Sequence, residues 1–125
     1  MKFPLLHLVL QPATITDKEI KTDCLIDTGC NLPLIIPDSL AKKLDLKLLG
    51  EDTKIVTANS HNIQAKRAKL TIVVNTLDKI YKIPCMALIL AENRPIIGTP
   101  VLDIICRKTD TRFVMDFKKL VISFE

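Results

Sequence analysis

The clearest pattern in the chain is an alternation of period two. From Ala65 onward, Ala68, Leu70, Ile72 and Val74 alternate with Lys69 and Thr71, as in a strand with one face buried and the other in water. Other apolar runs are short and separated by turn formers. Residues 5–11 form a first strand, 12–18 a turn region, and 19–26 a second strand that runs back to end at Asp27. Residues 32–36 form another short apolar strand. Pro37-Asp38-Ser39 then opens a helix of about two turns, with Leu40, Ala41 and Leu44 on one face and Lys42 and Lys43 pointing outward.

Residues 50–52 are expected to loop, and 53–58 to form a strand leading into Asn59-Ser60-His61-Asn62, the tip of a second hairpin. After a turn over 75–78, residues 79–83 form a strand whose central pairing is limited by Pro84. Residues 85–91 are continuously apolar, as in a strand buried on both faces or a short core helix. Residues 92–95 form a surface loop. Thr99-Pro100 marks a helix start, with Thr as cap and Pro at the first position, and the helix is expected over 100–106. Residues 113–115 and 120–124 close the chain as a final hairpin. This succession predicts an all-β barrel or sandwich with two small helices.

Composition narrows the class. The chain's 125 residues match one domain, and such a domain buries roughly two-thirds of the surface its unfolded chain exposes. Apolar residues make up 48% of the chain and aromatics only 4%, a balance that excludes disorder. The net charge of +4 is spread in small groups, the largest being Lys66-Arg67 with Lys69. No aromatic stacking platform accompanies them, so a solvated strand face is expected rather than a nucleic-acid interface.

Cys24, Cys30, Cys85 and Cys106 form no C-x-x-C pair and no zinc-type spacing with His7 and His61, so no metal or other cofactor is expected. The N-terminal apolar run is interrupted by Pro4 and His7 and lacks a small-x-small cleavage site. The expectation is therefore a cytoplasmic, reducing setting with buried thiols, a disulfide being the alternative, and no membrane segment. His7, on an apolar strand, is expected to be a satisfied core or interface residue.

The candidate chemistry lies in Cys24-Leu25-Ile26-Asp27-Thr28-Gly29-Cys30. An apolar strand here delivers a carboxylate, a hydroxyl and a glycine at its end. An ionised Asp directly after Leu25 and Ile26 needs compensating partners where water is stripped away, and Gly29 suits a turn that presents it.

Taken in order, apolar-apolar-Asp27-Thr28-Gly29, the strand and short helix behind it, the polar-tipped hairpin, and Ile96-Ile97-Gly98 before a short helix resemble the retropepsin-like aspartic protease family. The resemblance covers nearly the whole chain. It implies an all-β acid-protease barrel with one lobe per chain, hydrolysing peptide bonds of a polypeptide substrate. Asp27 would be the catalytic aspartate, Thr28 would hydrogen-bond across a dimer axis, and Gly29 would let the loop approach substrate. Ile96, Ile97 and Gly98 would support the catalytic loop from behind, and Asn59, Ser60, His61 and Asn62 would form the flap.

The chemistry such a family uses needs two carboxylates sharing one proton. This chain offers one such loop, because Asp110-Thr111 continues with Arg112 and follows a helix. A homodimer, with its two-fold axis, supplies the second Asp27.

Three positions depart from the family pattern: Cys30 stands where Ala or Ser is usual, the flap tip has no glycine, and Thr99-Pro100 follows Gly98 where a polar or charged pair is common. The glycine-free flap leaves a second reading in play, a dimeric module of the same fold that binds peptide or protein without turning it over. Cys30 with His61 as nucleophile and base lacks a group to orient it.

Overall fold

A computed structural model of the protein describes residues 3–14, 17–56 and 61–125. In chain order the elements are β1 (Leu6–Pro12), β2 (Ile20–Asp27), β3 (Leu34–Pro37), α1 (Asp38–Lys43), β4 (Leu48–Val56), β5 (Asn62–Asn75), β6 (Ile80–Leu90), β7 (Ile96–Gly98), α2 (Thr99–Thr109), β8 (Phe113–Asp116) and β9 (Val121–Phe124). Seven strands form one sheet in the order β1-β2-β7-β3-β6-β5-β4, and a β1–β5 pairing running from Val9↔Val73 to Pro12↔Leu70 closes six of them into a barrel. β8 and β9 make a separate two-stranded sheet.

The period-two pattern dictates what fills the barrel. Leu6, Leu8 and Leu10 of β1 and Ala68, Leu70, Ile72 and Val74 of β5 are buried. They join Leu34, Ile36, Ile97, Ile105 and Phe124 in the main core. Ala41 and Leu44 of the first helical segment enter the same core, with Leu46 packed against it, whereas Leu40 is only half-buried.

Several boundaries differ from the sequence expectation. Residues 50–52 are not a loop but part of β4, where a bulge shifts the register between Leu49 and Thr53 and Gly50 takes φ +50. A bulge absorbs one glycine and a polar pair without ending the ladder. The segments expected separately over 79–83 and 85–91 form one strand, β6 (Ile80–Leu90), running through Pro84. β3 pairs only with Ala87 to Leu90, so at Pro84 the neighbour is β5 alone, and a residue without an N–H is tolerated there. The helix expected over 100–106 continues to Thr109 because Ile105 and Thr109 are buried, and it ends at Asp110 in the left-handed conformation, φ 52.

His7 is not in the core. It stands opposite Asp23 across the β1–β2 pair, exposed, with Nδ1 in hydrogen-bond contact with the Asp23 carboxylate. All four cysteines are free thiols. Among the described residues no helix is long and apolar enough to cross a membrane.

Burial, with Asp23 adding to it, pushes the Cys24 thiol from 9.0 up to about 12, and burial pushes Cys85 up to about 11. The folded state therefore favours the protonated thiols, a contribution complete below about pH 9 and lost as pH rises toward 12. Labelling with a thiol reagent at pH 8 should accordingly find Cys24, wholly buried, reacting no faster than the chain unfolds. Prompt labelling of Cys24 in native protein would contradict its burial.

Candidate functional site

The site begins with an arrangement of three strands. β7 lies between β2 and β3, parallel to β2 (Leu25↔Ile96, Ile26↔Ile97, Asp27↔Gly98) and antiparallel to β3 (Leu34↔Ile97, Ile35↔Ile96). β2 and β3 are consecutive in the chain, so the segment joining them must arch over the end of β7. That segment carries Asp27, Thr28, Gly29 and Cys30. The structure thus brings the two expected groups, residues 27–29 and 96–98, into direct register, although they are far apart in sequence.

Gly98 is where the arch meets the strand beneath it. A Cβ there would stand 1.8 Å from the carbonyl oxygen of Leu32 and 2.9 Å from that of Cys30. No side chain fits. The close approach is used for hydrogen bonds: Gly98 N–H donates to Pro33 O at 2.9 Å and Thr99 N–H to Cys30 O at 3.0 Å. The Thr99 hydroxyl donates to Thr28 O at 2.8 Å. This corrects the capping role expected for Thr99: Gly98 is the N-cap of α2, and no side chain caps that end. The hydroxyl secures the Asp27-Thr28-Gly29 turn instead, which places the Thr99 departure in the support of the loop.

Within the turn, Cys30 N–H donates to Asp27 O at 3.1 Å and Gly29 N–H to Asp27 Oδ1 at 3.1 Å. Asp27, Thr28 and Gly29 are exposed. Asp27 therefore does not meet the buried fate expected of an acid at the end of an apolar strand; within one chain its carboxylate faces outward, fixed by a backbone N–H. Gly29 is not required by its own chain either. A Cβ there would meet Asp27 Oδ1 at 3.5 Å, an ordinary contact, and its φ is not in the left-handed region. Cys30 is half-buried, with Sγ directed to Leu32 O at 3.9 Å.

Beside Asp27 lies a mostly apolar cavity of about 260 Å³, lined by Phe3, Pro4, Leu25, Ile26, Ile96 and Met115 as well as Asp27 itself. Phe3 and Phe117 meet edge to face at 6.2 Å between ring centres. Phe3, Pro4 and Met115 escaped the sequence reading because no local pattern signals them; only the return of both chain ends to β2 puts them there. A second apolar cluster, Ile55, Ala65 and Leu88 with Leu32 and Leu90 against it, lies apart from the main core, toward the tip end of the β4–β5 hairpin.

The expected flap residues are only partly visible. Asn62 lies in β5 opposite Val56, and His61 immediately precedes it, both exposed. Asn59 and Ser60 lie outside the described residues. No cluster of three or more His, Cys, Asp or Glu side chains suited to a metal ion occurs among the described residues. What the arrangement offers is one exposed carboxylate, rigidly held, at the mouth of an apolar cavity.

No family model matches the chain, and no curated protein matches it. Among solved structures it is similar to EIAV protease complexed with the inhibitor HBY-793, with a TM-score of 0.55 at 16% sequence identity, over 90% of this chain and 93% of that one. The fold is retropepsin-like and all-β, a closed six-stranded barrel with two helices.

Proposed function

We propose that the protein is an aspartic endopeptidase in which two copies of a single domain, residues 1–125, each contribute one lobe. The observation that carries this reading is the geometry of Asp27: an exposed carboxylate held by the Gly29 N–H, on a turn locked onto Gly98 and Thr99, with an apolar cavity beside it. A single such carboxylate lacks a partner for acid–base work. In a two-fold dimer the second Asp27 provides it.

The ionised Asp27 would take a proton from water as the water attacks the peptide carbonyl carbon. The protonated Asp27 of the other copy would donate to the carbonyl oxygen. Collapse of the tetrahedral intermediate breaks the C–N bond, with a proton passing to the leaving amine. Thr28 of each copy would hydrogen-bond across the axis and hold the two turns together. Ile96, Ile97 and Gly98 would fix the turn from behind, Gly29 would give substrate backbone close access, and Asn59, Ser60, His61 and Asn62 would close over it.

Dimer dependence provides the test. Incubation with a peptide library from about pH 3 to 7 should give cleavage whose specific activity rises with protein concentration until the dimer saturates. Sedimentation should show a dimer over the same range. A strictly monomeric species that cleaves would contradict the shared-acid mechanism. A dimer that binds peptides and leaves them intact would establish the non-catalytic module that the glycine-free flap tip favours.

A further inference from the structure

One lateral row of the sheet can be followed across five strand pairings: Leu25 on β2, Ile96 on β7, Ile35 on β3, Leu88 on β6, Arg67 on β5 and Leu49 on β4. Residues paired laterally in a sheet point to the same face. This face is the one turned away from the main core: Ile97, Leu34, Ala87 and Ala68, each a neighbour in sequence to a member of the row, belong to that core, whereas Leu25, Ile96, Ile35, Leu88 and Arg67 do not. At one end of the row Leu25 and Ile96 line the cavity beside Asp27, and further along Leu88 belongs to the second apolar cluster. The row is thus an apolar layer, open at Leu25 and Ile96 and buried at Ile35 and Leu88, in which a single cation stands before Leu49.

Arg67 is not the solvated strand residue its sequence neighbours suggest. Lys66 and Lys69 are exposed, but Arg67 is half-buried, and its Nε is buried with no hydrogen-bond partner. None of the described carboxylates forms an ion pair with it. The guanidinium lies beside the bulge of β4, where a Cβ on Gly50 would meet Nη2 in ordinary contact at 3.5 Å. With no acidic partner among the described residues, the guanidinium is suited to a peptide carboxylate at its outer nitrogens, where the planar fork of Arg fits two parallel hydrogen bonds.

We infer that Arg67 is a specificity-determining residue that selects an acidic side chain in the bound polypeptide, at a subsite about six residues from the bond over Asp27. The reach follows from sheet geometry. Four strand spacings of about 4.8 Å separate Leu25 from Arg67, roughly 19 Å along a curved sheet, and an extended peptide advances about 3.3 Å per residue. The inference rests on the protease reading for the words "from the bond", and on the row's geometry alone for the acidic preference. In a homodimer each copy supplies one Arg67, so the preference appears on both sides of the cleavage site.

The experiment compares wild type, Arg67→Gln and Arg67→Lys on a peptide library, with cleavage sites read by mass spectrometry. Wild type should enrich Asp or Glu about six residues to either side of the cut. Arg67→Gln should lose that enrichment, raising KM for an acidic peptide about tenfold or more with kcat little changed, while cleaving a Gln-substituted peptide as before. Arg67→Lys should restore part of it. An enrichment that survives in Arg67→Gln, or a wild type indifferent to charge there, overturns the inference.

Binding keeps the inference testable if no variant cleaves. Fluorescence anisotropy with the Asp27→Asn protein should then show tighter binding of the acidic peptide than of its Gln counterpart, abolished by adding Arg67→Gln. Absence of cleavage alone counts against the protease reading. Equal binding of the two peptides counts against the role of Arg67.

Discussion

Replacing Gly98 with alanine is expected to unfold the protein or leave it without a cooperative transition. The added Cβ would lie 1.8 Å from Leu32 O and 3.0 Å from Leu32 C, both backbone atoms with no rotamer to escape through. Relief requires the 27–33 arch to lift. That movement strains the bonds from Gly98 N–H to Pro33 O, Thr99 N–H to Cys30 O and the Thr99 hydroxyl to Thr28 O. Overpacking costs about 1–3 kcal/mol and each lost hydrogen bond about 1 kcal/mol, so the sum is roughly 4–6 kcal/mol. Such a loss approaches the whole stability of a small domain, about 5–15 kcal/mol.

Urea denaturation is the measurement, and a midpoint within experimental error of wild type would show that the arch is not as tightly seated as these distances require. Gly29→Ala is the contrasting control. With ordinary contact at 3.5 Å it should fold within about 1 kcal/mol of wild type. Any loss of peptide cleavage in that variant would then come from blocked approach of substrate or partner rather than from instability.

Asp27→Asn is expected to abolish cleavage, by about a thousandfold or more, while leaving the melting temperature unchanged. The side chain is exposed and its intrachain bond is an acceptor role for Gly29 N–H, which the carbonyl oxygen of Asn can fill. What Asn cannot do is accept a proton from water or donate one from a carboxyl group. Mixing the variant with wild type adds a sharper readout. If activity needs an Asp27 from each copy, an equal mixture should retain about a quarter of wild-type activity, since only that fraction of dimers carries two acids. About half would remain if each chain worked alone. Equal cleavage by Asp27→Asn and wild type would sink the assignment.

The two predictions differ in how much of their basis could be seen in the residues. Asp27-Thr28-Gly29 and Ile96-Ile97-Gly98 are visible as strings, and the apolar residues before each glycine mark them as strand ends. Their pairing is not visible, because β7 inserts between two strands that precede it in the chain, and period-two patterning is silent on lateral neighbours. Gly98 looks like any turn glycine in sequence. Only the arch above it shows that a close approach, rather than a special φ, excludes a side chain.

The errors of element assignment have the same origin. Gly50 with its acidic neighbours has the composition of a loop, and Pro84 that of a strand break, yet the long β5 offers partners to both β4 and β6 and carries the ladder through. Tertiary pairing outweighs local propensity at such positions. Thr99-Pro100 announced a helix correctly; what Thr99 bonds to depended on a carbonyl 71 residues away in sequence.

By itself, then, the sequence determined the alternating strands, their apolar core side, the two helices and the turn that presents Asp27, because these follow from the local period of side chains and the conformations of a few turn residues. The tertiary structure alone decided that Asp27 is exposed and unaccompanied in its chain, that Thr99 secures its turn, that both chain ends border its cavity, and that Arg67, unlike the solvated Lys66 and Lys69, is half-buried within an apolar row. Each of these depends on which strand lies beside which. That choice is made by long-range hydrogen bonding and packing, whose partners carry no mark of one another along the chain.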